Sequence, residues 1–175
     1  MNAKAMPGFI RAYVRGVDAV NGVLGYFVMY LALVMMALLL FASITRYVFN
    51  VPFVWIIEMA QFLMAAYYIL GGGYSMQLDA HVRMDVLYER WKPKTRAFMD
   101  SLTAFFLVFY LAIMVYGGFS SSAYSLKYNQ ANYSAWAPPM APIKIIMTVG
   151  IALMLLQAIA IFFRDLAKVT GREIA

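Results

Sequence analysis

The chain has 175 residues, of which 65% are hydrophobic and only 13% charged, with a formal net charge of +6 and no cysteine. A soluble domain averages about 45–50% apolar and about 25% charged residues, so this composition excludes a soluble globular fold and points to a membrane protein. Without cysteine there is no disulfide, thiolate metal site or cysteine nucleophile; a lone histidine, His81, leaves no multi-histidine metal centre, and basic residues that flank apolar stretches argue for a membrane surface rather than nucleic acid.

In chain order, the first element is an N-terminal segment, residues 7–18, too polar to span a bilayer. Its Phe9, Ile10, Tyr13, Val14 and Val17 share roughly one helical face, which predicts a short amphipathic helix at the membrane interface. Residues 19–45 form the first stretch longer than the about 20 residues a span requires. It exceeds the about 7–15 apolar residues of a cleavable signal, and Ser43-Ile44-Thr45-Arg46 reads as its end. The next connection is so short that spans one and two must form an antiparallel hairpin, with Pro52 expected in the first turn of the second helix.

The second span, residues 51–78, contains one charge, Glu58. Glu58 opens a line at helical spacing through Gln61, Ala65, Tyr68, Gly72, Ser75 and Asp79, a small and polar face suited to packing on protein rather than lipid. The connection 79–100 holds Met84, Leu87 and Trp91 on one face. That spacing fits either an interfacial helix ending before Pro93 or an extension of the second span. The third span is 101–126. The segment Lys127–Pro142 combines Tyr128, Tyr133 and Trp136 with three prolines; it reads either as an interfacial anchor or as a docking surface for a partner outside the membrane. The fourth span is 141–163, with Lys144 near its start placed to snorkel outward.

These stretches lack strand-type alternation, and in lipid the backbone must satisfy itself, so helices are expected. The chain reads as a single four-helix domain, an all-α integral membrane protein with short interfacial helices. Lys4, Arg11, Arg15, Arg83, Arg90, Lys92, Lys94, Arg96, Arg164, Lys168 and Arg172 all fall on one side, against Arg46, Lys127 and Lys144 on the other. The positive-inside rule then puts both termini in the cytoplasm.

A charge within a span marks a functional path or a polar anchor. Glu58 sits about 9 Å inside the second helix, near the membrane edge, and Arg46 ends the neighbouring helix. Three readings stand: an Arg46–Glu58 ion pair, a proton- or cation-coupling carboxylate, and a salt bridge to a partner subunit. His81 and Asp85 are i,i+4 neighbours flanking Arg83; they fit a helix cap or subunit contact, a pH sensor being the sharper reading. No constellation points to an enzyme, a cofactor or a metal.

Arg46-Tyr47-Val48-Phe49-Asn50, then Trp55-Ile56-Ile57-Glu58, then His81-Val82-Arg83-Met84-Asp85, resembles the small membrane subunit of TRAP transporters, the DctQ family. In that family an arginine ends the first span, a tryptophan and a glutamate follow in the second, and a His-x-x-x-Asp-type motif opens the cytoplasmic connection. Trp136, Pro138-Pro139, Lys144, Gly150 and Gln157 extend the resemblance over roughly residues 22–165. It implies a subunit of a bacterial inner-membrane, sodium-driven secondary transporter. A periplasmic binding protein would deliver an organic acid, a large membrane subunit would carry the substrate and sodium sites, and this chain, as the separate form, would enlarge the static scaffold among the membrane lipids. Arg46, Trp55, Glu58, Gln61, Gly72, His81, Arg83 and Asp85 would then be structural or interface residues. The competing reading is a self-sufficient small transporter that couples protons or cations through Glu58.

Overall fold

The structure of the protein, a computed structural model, describes residues 8–78 and 93–170. Four helices account for nearly all of it: α1 (Gly8–Tyr47), α2 (Val54–Gln77), α3 (Pro93–Lys127) and α4 (Ala141–Thr170). Among the described residues the other regular feature is one isolated antiparallel bridge between Ala131 and Pro139. All four helices are long and apolar enough to cross a membrane.

The boundaries depart from expectation where packing overrides local polarity. The N-terminal segment expected to lie separately at the interface is instead the first three turns of α1, which runs unbroken from Gly8. Nothing in the sequence interrupts the helix there, and Val14 and Val17 are buried. Tyr13 explains the direction: its hydroxyl donates to the Leu156 carbonyl at 3.0 Å and its ring meets Phe163 edge-on, so the segment is held on α4. Pro52 lies outside α2, which starts at Val54 after an extended Phe53. Pro93, by contrast, opens α3, where a missing N–H is tolerated.

α4 packs against each of the other three helices; α2 also packs on α1, while α3 packs chiefly on α4. The α3 contact is a single line. Ala104, Leu111, Ser122 and Ser125 are buried, and Val108, Val115 and Gly118 are half-buried between them. Steps of four and three residues sustain a seam between left-handed crossing helices. Leu111 joins Met76 of α2 and Ile151 and Ala158 of α4 in the apolar core.

Small residues set the helix separations. A Cβ on Gly150 would lie 2.6 Å from Ile69 Cγ2 and 3.2 Å from the Ile69 carbonyl carbon. A Cβ on Gly118 would lie 2.8 Å from Thr148 Oγ1, and Thr148 also hydrogen-bonds Ser122 across the α3–α4 seam at 3.0 Å. Because lipid tails are as apolar as the helix surfaces, close approach and polar contacts of this sort carry helix association.

The α3–α4 connection is folded onto itself. Gln130 N donates to Ser125 O, Asn132 N to Pro138 O and Met140 N to Gln130 O, with Asn129 and Ala137 in the left-handed region. The Lys144 Nζ donates to Gln130 Oε1 at 2.7 Å and pins the connection to the start of α4. Tyr133 projects fully exposed from the tip.

Replacing Gly150 by alanine forces α4 away from α2 and is expected to cost about 1–3 kcal/mol, as overpacking does. Gly117→Ala, on the same bundle with no atom within 4 Å of the added carbon, is expected to be neutral or slightly stabilising. Thermal unfolding of the two variants in detergent micelles measures the difference.

Candidate functional site: a buried polar interlock and an outward polar face

The polar side chains of α1 and α4 come together toward the start of α1 and the end of α4. Asn21 Nδ2 donates to Gln157 Oε1 at 2.7 Å, and Gln157 Nε2 donates to Asp18 Oδ1 at 3.0 Å. Arg164 forms an ion pair with Asp18 through Oδ2. Asn21 and Gln157 are 1% and 0% exposed. Asp18 and Asn21 are one turn apart on α1, as Gln157 and Arg164 are two turns apart on α4, so each pair projects from one helical face. The third helix joins at Gly73, where an added Cβ would lie 2.7 Å from Asn21 Oδ1. Glycine at that position lets α2 approach the amide.

The expected Arg46–Glu58 ion pair is not formed. Glu58 is 6% exposed, its Oε2 has no hydrogen-bond partner, and Arg46 is exposed in the last turn of α1. The helix register supplies the reason. The Tyr74 ring fills the space beside Gly25, and Val28 that beside Gly71, so in the antiparallel hairpin Arg46 lies level with the start of α2. Glu58 is five or more residues deeper, at least about 7 Å along the axis, and the two side chains do not close that gap.

The line running from Glu58 divides between inside and outside. Glu58 is buried; Gly72 is half-buried, with the place of its missing Cβ 2.7 Å from Met154 Sδ. Gln61 and Tyr68 are exposed, and Ala65 and Ser75 are half-buried. Trp55 is 39% exposed beside the Phe53 ring. His81, Arg83 and Asp85, with the expected interfacial helix around Met84–Trp91, lie outside the described residues. The Ser122–Thr148 bond, Asp18, Asn21 and Arg164 went unremarked in the sequence as a polar cluster, although Asp18/Asn21 and Gln157/Arg164 carry a legible signal: helical spacing just inside the outermost basic residues.

What this arrangement offers is fixed helix packing and a polar outer face. The chain matches the family model described as tripartite ATP-independent periplasmic transporters, DctQ component, over residues 35–168. It belongs to the DctQ family. A DctQ chain is the small component of a TRAP transporter, and the family works with a large membrane subunit and a periplasmic binding protein. No curated protein matches the chain. The matched segment includes Glu58, Gln61, Gly150, Gln157 and Arg164, while Asp18 and Asn21 precede it. The DctQ match therefore spans the α4 half of the interlock and all of α2 and α3.

Two outcomes follow for the DctQ chain itself. Gln157→Leu strands the Asn21 amide and takes the partner from Asp18 Oδ1, Oδ2 keeping Arg164; it is expected to lower stability by about 1–3 kcal/mol, with part recovered in the Asn21→Leu/Gln157→Leu double variant, since removing both partners costs less than orphaning one. Thermal unfolding in micelles checks both values. For Arg46 and Glu58, a double-mutant cycle with Arg46→Ala and Glu58→Gln is expected to give a coupling within about 0.5 kcal/mol of zero; a coupling above that would show a bond between them.

Proposed function

We propose that this chain is the static small subunit of a bacterial inner-membrane TRAP transporter, supporting a large membrane subunit during sodium-driven uptake of an organic acid delivered by a periplasmic binding protein. The observation that carries this reading is the use made of buried polar groups. Asn21, Gln157, Asp18 and Arg164, and Ser122 with Thr148, bond to one another and tie helices together. A secondary transporter complete in one chain builds its substrate site near the bilayer midplane, from broken helices and repeats; here the four helices are continuous. Chemistry then belongs to the partner, and rigidity to this subunit.

Orientation follows from charge. The described N- and C-terminal helix ends lie together, Tyr13 against Phe163, and the excess of Lys and Arg on that side supports a cytoplasmic location for it. The folded connection with Lys127, Tyr133 and Trp136 then faces the periplasm, on the side of the binding protein. His81, Arg83 and Asp85 are proposed as cytoplasmic contacts of the assembly.

A second reading has one observation in its favour: Glu58 is a buried carboxylate whose Oε2 is unpartnered, as a coupling site in a self-sufficient transporter would be. Reconstitution into proteoliposomes separates the two. With the large subunit, binding protein and a sodium gradient, uptake is expected only when this chain is also present, and the chain alone is expected to transport nothing. Uptake by the chain alone, abolished in Glu58→Gln, would establish the second reading instead.

A further inference from the structure

Gln61, Tyr68 and Ser75 stand seven residues apart along α2 and share one face. Gln61 and Tyr68 are exposed and Ser75 half-buried. None of the three side chains makes a hydrogen bond within the described residues. Beside this line, α1 and α2 form an open groove of about 700 Å³ lined by Tyr26, Met29 and Ala32 from α1 and by Tyr68 and Ser75 from α2. Gly25, Gly71 and Gly72 also line it, and the place of their missing side chains is approached by Tyr74, Val28 and Met154. The glycines draw the three helices together behind the groove and leave its rim to tyrosines.

Depth makes these residues costly to leave as they are. Gln61 lies about 12 Å inside α2 from Phe53, and Tyr68 about 15 Å from Leu78 at the other end. Both are too deep for their polar atoms to reach either interface. In hydrocarbon an amide or hydroxyl without a partner costs several kcal/mol on transfer scales, and tyrosine otherwise collects at the membrane surface. Acyl chains supply no donor or acceptor. A transmembrane helix supplies both, through polar side chains, and a seven-residue repeat of polar and small positions is the spacing by which two helices mesh over their length. The outward ridge of α3 carries Phe105, Phe106, Phe109 and Phe119 together with two exposed tyrosines, Tyr110 and Tyr116, and its apolar stretch has no amide side chain.

We propose that the Gln61–Tyr68–Ser75 face of α2, with the adjoining α1–α2 groove, is the seat of one transmembrane helix of the large membrane subunit, whose polar side chains pair with Gln61 and the Tyr68 hydroxyl. This rests on the reading of the chain as a TRAP small subunit. It assigns the subunit's docking face, and it leaves the α3 ridge to lipid.

The test uses the complete membrane complex, with a photo-crosslinking amino acid, p-benzoylphenylalanine, at Tyr68 or Gln61, and at Phe109 as the contrast. Adducts to the large subunit are expected from positions 68 and 61 at tenfold or greater yield over position 109. Ala65→Trp, which blocks the same face between Gln61 and Tyr68, is expected to lower co-purification of the large subunit at least tenfold while the melting temperature of the isolated small subunit stays at its wild-type value. An intact complex in which adducts arise from position 109 and not from 61 or 68 overturns the docking face and leaves the subunit assignment standing. Adducts at the mass of two copies of this chain, or lipid adducts alone, overturn it likewise. If no large membrane subunit co-purifies with the wild-type chain under any extraction condition, the subunit assignment itself fails, and the two failures are told apart.

Discussion

The Asn21–Gln157 hydrogen bond is made where three helices meet. Gln157 belongs to α4, Asn21 to α1, and the Asn21 carboxamide oxygen abuts the backbone of α2 at Gly73. In water, burial of apolar surface would hold such helices together; in lipid that term nearly vanishes, because a leucine gains little by exchanging an acyl chain for another leucine. What remains is dispersion at close approach and the cost of leaving a polar group unpaired. Asn21 and Gln157 use the second. Separating α1 from α4 would leave both amides in hydrocarbon, so the pair specifies which faces meet as well as how strongly. The Asp18–Arg164 ion pair extends the same interlock toward the membrane surface.

α4 is consequently the hub. Gly150 against Ile69 sets its distance from α2, Thr148 with Ser122 and Gly118 sets its seam with α3, and Gln157 fixes α1. Once α4 is placed, the others have little freedom. Asn21, Gln157, Asp18, Arg164, Ser122 and Thr148 all use their polar groups in joining helices. The fold is open at its edges. α3 leans chiefly on α4, and the α1–α2 hairpin keeps an outward face rich in tyrosine.

Glu58 shows how a correct local inference fails through register. Its burial follows from an ionisable group in a span being kept from lipid. Its partner does not follow, because pairing depends on the relative slide of two helices, which the sequence does not state. Tyr74 beside Gly25 and Val28 beside Gly71 set that slide and put Arg46 above Glu58. The line from Glu58 to Ser75 reads in the sequence as one packing face. That its middle, Gln61 and Tyr68, looks away from this chain is a matter of how α2 is rotated against α4, which Gly150 and Gly72 determine.

By itself the sequence determined the class, the number of spans, the hairpin between the first two, and membership of the DctQ family, because span length and charge placement are local properties that lipid enforces one helix at a time. Motif order along the chain is equally local. Only the tertiary structure decided that residues 8–18 belong to α1, that Lys144 bonds Gln130, that Asp18, Asn21, Gln157 and Arg164 form one network, and that Arg46 and Glu58 do not meet. Each of these is a relation between helices. In a membrane such relations rest on a few close contacts and buried polar pairs, whose partners lie up to 146 residues apart in the chain, beyond the reach of any periodicity within a single span.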